Sequence, residues 1–110
     1  MTTFRQKKGD VGTVITVRLE DRRGPVDLTG AQIRFLASKT PGRPPVKIDG
    51  VAQPDVDQNL NKGQASYVFL AGDLDTKDTY VCEWEVTWGA TKRTFPNDNY
   101  DVLAVLDDLG

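Results

Sequence analysis

Histidine is absent from this chain, and cysteine occurs once, at Cys82. Without histidine the usual general base, the usual proton switch near neutral pH and the commonest transition-metal ligand are missing, so Ser-His-Asp and Cys-His chemistry are excluded. A lone cysteine forms no disulfide within the chain and no cysteine-based zinc set, so stability has to come from packing. Nowhere is there an apolar run of the roughly 18 to 20 residues that a membrane helix needs. The opening Met1-Thr-Thr-Phe-Arg-Gln-Lys-Lys8 also lacks the apolar core of a secretory signal. No membrane partner is expected, and the protein is expected to be made and kept in a cytoplasm until it is assembled. Excess positive charge is missing too: the net charge is −2, which argues against nucleic acid as a partner.

What remains is an ordinary globular composition, 38% hydrophobic and 27% charged over 110 residues, the size of one domain with one core. The charges are unevenly spread. Residues 1–55 carry 10 basic and 6 acidic side chains, and residues 56–110 carry 4 and 10. Strands from both halves that interleave would cancel this imbalance; packing of opposite charge between copies in a homo-oligomer is the sharper alternative.

Apolar and polar residues alternate along most of the chain, and no window of helical length carries a 3.6-residue stripe. In Thr13 to Glu20, the residues Ile15, Val17 and Leu19 share one face, as a half-buried strand requires. Ala31 to Ser38 repeats the pattern with Ile33 and Phe35, and Gln64 to Leu70 does so with Ala65, Tyr67 and Phe69. Short strands are predicted at Val46 to Asp49 and Val51 to Asp57, with Pro54 confining the second to an edge or a bulge. The strongest pattern is Thr79 to Trp88, where Tyr80, Cys82, Trp84, Val86 and Trp88 oppose Glu83, Glu85 and Thr87. Thr91 to Phe95 and Asp101 to Leu106 complete the set. The prolines of Thr40 to Pro45 predict an exposed loop, Gln58 to Gly63 a polar turn, and Ala71 to Asp78 one helical or 3₁₀ turn. Seven to nine short strands punctuated in this way predict an all-β protein, a sandwich or small barrel.

Few residues suggest chemistry. Asp55-Val-Asp57-Gln-Asn59-Leu-Asn61 is spaced like the start of a calcium loop, but Leu60 replaces its turn glycine and Ser66 its final glutamate, so no metal is expected. Glu83 and Glu85 superficially resemble a glycosidase pair, yet they read as solvent-facing, with nothing nearby to raise a pKa. Gly9-Asp-Val-Gly12 lacks the ending of a phosphate loop. Cys82 reads as a small buried hydrophobe. Trp88, at a strand end, is the one aromatic residue with a ligand-binding reading, as a platform for a sugar. No cofactor and no catalytic residue is expected.

Tyr80-Val-Cys82 resembles the tyrosine corner of immunoglobulin strands, without a partner cysteine in Thr13 to Glu20. A wider likeness runs through Phe4, Gly9-Asp10, Asp21-Arg-Arg-Gly-Pro-Val-Asp-Leu-Thr-Gly-Ala31, Ile33-Arg-Phe35, Gly63 to Leu70, Tyr80 to Thr87 and Thr94-Phe-Pro96. In this order of punctuation the chain resembles the immunoglobulin-like N-terminal domain of phage upper baseplate proteins. The resemblance implies an immunoglobulin-like antiparallel β-sandwich and a structural role in a virion. In that family the domain attaches a longer, often trimeric, receptor-binding assembly to the tail. A free-standing copy is similar to small virion proteins that join tail parts or decorate a capsid. The expectation is a tail or baseplate docking protein whose partners are other phage structural proteins. Capsid decoration and a carbohydrate-binding module using Trp88 are the alternatives.

For docking, residues 1–9 read as an extended N-terminal arm. Phe4 would be an apolar anchor beside the flexible cations Arg5, Lys7 and Lys8, with Arg43 contributing from the proline-rich loop. On this reading, deleting residues 1–8 leaves the sandwich folded.

Overall fold

The computed structural model describes residues 2–39, 46–96 and 99–107. They form ten strands: β1 (Thr3–Lys7), β2 (Val14–Arg18), β3 (Glu20–Asp21), β4 (Gly24–Pro25), β5 (Gln32–Ser38), β6 (Ile48–Pro54), β7 (Gln64–Val68), β8 (Asp78–Trp88), β9 (Thr91–Phe95) and β10 (Asp101–Leu106). There is no helix among the described residues. The protein is all-β, a single sheet-rich globule.

Apart from the small β3–β4 hairpin, the strands join in the order β1-β10-β8-β5-β6-β7-β2, with β9 also on β8. The sheet folds over on itself through β6, whose Ile48 to Ala52 pair with β5 and whose Gln53 and Pro54 pair with β7. The change of partner falls where proline ends the strand, as expected of a residue without an N–H to donate. β1 and β2 are the two ends of this nearly closed sheet. The turn between them is tied across the gap by Gly9 N–H to the Leu74 carbonyl and Gly12 N–H to the Phe69 carbonyl.

β8 is the central strand. It pairs with β5 along one side and with β10 and then β9 along the other. Phe95 pairs with Trp84 and Asp101 with Cys82, so β9 ends and β10 begins on either side of the position of Glu83. β9 and β10 thus follow one another along the same side of β8, and the bond between Phe95 and Pro96, at the end of β9, is cis.

The inward side chains fill one core. Trp84, Phe35, Tyr67 and Phe69 are fully buried there, and the Phe35 ring stands 4.7 Å from Trp84 and 4.9 Å from Tyr67. Glu83 and Glu85 lie on the opposite face of β8, as its alternation requires. The charge imbalance of the two halves is partly met within the fold by the ion pairs Lys39–Asp78 and Lys47–Asp75, each joining a cation of the first half to a carboxylate of the second.

Three expectations are corrected. Residues 3–7 are a strand, not an arm: β1 runs parallel to β10, and Phe4 inserts edge-on toward Trp84 at 6.4 Å. The strands expected on either side of Gly50 are one strand. Ala71 to Asp78 holds a turn closed by Asp73 N–H to the Leu70 carbonyl and no helix, because the Asp73 carboxylate takes the Leu70 N–H and the Tyr67 hydroxyl. The proline-rich loop at 40–45 lies outside the described residues.

Candidate docking edges

β2 bonds to β7 through its odd-numbered residues. Phe69 donates to the Thr13 carbonyl, and Leu19 donates to the Gly63 carbonyl. In an antiparallel pair these positions alternate with positions whose N–H and C=O point the other way. The backbone groups of Val14, Thr16 and Arg18 therefore face outward, and among the described residues no strand pairs there. The same alternation turns Ile15 into the core and leaves Val14 53% exposed, beside Val68 on β7 at 47%. Val11 and Leu70 continue this exposed apolar margin. Thr16 and Ser66 follow, joined through their hydroxyls at 3.2 Å.

β1 is the other open edge. Val102 donates to the Thr2 carbonyl and Lys8 to the Leu106 carbonyl, so the even residues face β10 and the backbones of Thr3, Arg5 and Lys7 face outward. Arg5, Lys7 and Lys8 are exposed there, with Lys7 Nζ at 3.5 Å from the Asp107 carbonyl. Phe4 belongs to the core and is no surface anchor, because the strand's alternation turns it inward. Arg43 lies outside the described residues.

Where the start of β1 and the end of β2 separate, a pocket of about 160 Å³ opens between the two edges. Val17, Leu19, Phe95 and Pro96 give it apolar walls, and Thr2, Arg18, Glu20 and Asp101 are its polar members. Asp101 is 4% exposed, and one of its carboxylate oxygens accepts the Thr2 N–H at 2.9 Å. The exposed Arg18 and Glu20 border the same opening. A buried carboxylate among apolar walls suits a long side chain that ends in a cation. Sequence reasoning missed Asp101, which there appears as one more polar residue at a strand start.

The remaining candidates lie elsewhere in the fold. Trp88 is half-buried and packs against the core. The Asp55 carboxylate accepts the Asp57 N–H and the Asp57 carboxylate accepts the Leu60 N–H, so both are used by the turn itself. Within that turn Gln58 is buried. Its carbonyl oxygen accepts from Leu28 and Gly63, and its amide donates to the Asp55 and Gln64 carbonyls. Sequence reading took it for a solvated turn residue. Glu83 is more covered than its alternation suggested: burial, and then the neighbouring Glu85, push its carboxyl above the usual range. Burial, followed by the charges of Asp101 and Glu83, also pushes the Cys82 thiol well up.

Compared with known protein families and with curated proteins, the chain matches no family model and no curated sequence.

Proposed function

We propose that this chain is a docking or adaptor component of a phage tail or baseplate, which binds other structural proteins of the particle through an open sheet edge and performs no catalysis. The observation that carries the reading is the free backbone of β2 beside an exposed apolar margin of Val11, Val14, Val68 and Leu70. Unpaired edge groups are a ready template for another chain, and natural proteins ordinarily cover or charge them. The phage assignment rests on the sequence resemblance. The finer fold, an immunoglobulin-like sandwich, is supported by the parallel pairing of the first strand with the last and by β6 passing from β5 to β7 where the sheet folds over on itself.

Immunogold labelling of particles assembled from the genome that encodes the chain tests the role. Label at the tail tip or baseplate is the expected result. Label over the head makes the protein a decoration component instead, and unlabelled particles end the virion reading.

A further inference from the structure

The open edge and the pocket below it are parts of one site. A strand added to β2 in the antiparallel sense would bond to the outward backbone groups of Val14, Thr16 and Arg18. Its own side chains would then alternate. Those opposite Val14, Thr16 and Arg18 lie on the exposed face, and those opposite Ile15 and Val17 point into the gap between the edges. The residue opposite Val17 enters the pocket lined by Leu19, Phe95, Pro96 and Asp101. Its neighbour, opposite Arg18, meets an exposed guanidinium for which no carboxylate partner is found among the described residues.

We propose that β2 accepts an extended segment of a partner protein as an additional antiparallel strand. A lysine or arginine of that segment enters the pocket opposite Val17 to pair with Asp101, and an acidic residue immediately before it pairs with Arg18. The charge order follows from the alternation, because adjacent residues on the added strand meet opposite faces, one presenting a carboxylate and the other a guanidinium. Small or β-branched residues opposite Thr16 and Val14 complete the apolar margin with Val68. This inference rests on the docking reading and specifies its surface and the partner's chemistry.

The test is fluorescence anisotropy of a labelled peptide centred on Glu-Lys-Thr-Ala-Val, titrated with the full chain. Two further peptides exchange the first two residues or replace the lysine with leucine. Saturable binding is expected for the first, with both controls roughly tenfold weaker or worse. Asp101→Asn, which keeps an oxygen for the Thr2 N–H, should remove the preference for lysine over leucine. Thr16→Pro removes an N–H that points away from β7 and the exposed hydroxyl contact with Ser66, so, set beside Thr16→Val, which loses the hydroxyl alone, it should melt nearly as high and bind no peptide. Equal binding of the three peptides, undiminished binding by a folded Thr16→Pro variant, or no saturable binding at all would overturn the proposal. Labelled tails with no peptide binding would leave the docking role standing and remove this edge from it, whereas peptide binding with unlabelled particles would do the reverse.

Discussion

The ring of Tyr67 lies against the backbone of Gly50, so close that a Cβ at Gly50 would stand 2.5 Å from its Cε1 and 2.6 Å from its hydroxyl oxygen. The ring cannot retreat, since it stacks on Phe35 and its hydroxyl donates to Asp73 at 2.6 Å. Gly50→Ala is therefore expected to cost about 1–3 kcal/mol, the usual range for overpacking a core. Urea denaturation of Gly50→Ala, of Tyr67→Leu and of the double variant checks this. The cost of the alanine should shrink when the ring is gone, because the two residues share one contact.

Gln58 ties the turn after β6 to the segment before β5. Gln58→Leu keeps the approximate volume but leaves the buried N–H groups of Leu28 and Gly63 without their acceptor. A loss of about 2–5 kcal/mol in equilibrium unfolding is expected, whereas Asn59→Leu, one residue on and exposed, should change stability little.

β1 predicts a division of labour within residues that the sequence grouped as one contact patch. Phe4→Ala should cost about 3–5 kcal/mol, because the ring is buried against Trp84. Arg5→Ala and Lys8→Ala should leave the melting temperature nearly unchanged, since both side chains are exposed. Removal of residues 1–8 should destabilise the domain, as it takes a strand and a core side chain away together.

Two opposing pH effects are expected. The carboxyl of Glu83 titrates above its ordinary value of 4.5 in the folded chain. The folded state then binds more protons than the unfolded state in that window, and this group's contribution to stability falls as pH rises above 4.5. Asp21, Asp75 and Asp78 behave oppositely. A backbone N–H from Arg23 and then Arg93 lowers Asp21, while hydrogen bonds from Lys47 and Lys39 lower Asp75 and Asp78. Their contribution is present above 3.8 and is lost as pH falls through their lowered values. Thermal melts of Glu83→Gln against the wild type should diverge progressively above pH 4.5, with the variant the more stable. Curves that stay parallel there would contradict the assignment.

Cys82 is buried, and burial favours its thiol form. Since the thiolate is the reactive species, alkylation should be negligible in the native protein and complete in denaturant, as mass spectrometry would show.

The strands at 32–38, 64–68 and 78–88 were legible in the sequence because each carries a period-two pattern that a half-buried sheet satisfies, whereas those at 91–95 and 101–106 were marked by the turn residues around them. Thr3–Lys7 was harder to read. Phe4 is its one buried side chain, and a single apolar residue among cations fits a free arm as well as a short strand. Asp101 and Gln58 were invisible as special residues for a related reason. A polar residue becomes a buried one only when distant segments close over it, and those that do so here are Thr2 for Asp101 and Leu28 for Gln58.

By itself, the sequence determined the fold class and the core face of most strands, since alternation is local and hydrophobic burial enforces it, and the missing histidine excluded the commonest catalytic chemistries. Tertiary structure alone decided which strands became edges, that β1 closes onto β10, and that a buried carboxylate lies beside the open edge of β2. Those outcomes depend on pairing between residues up to about a hundred positions apart, as with Thr3 and Val102, and no local pattern encodes such a partner.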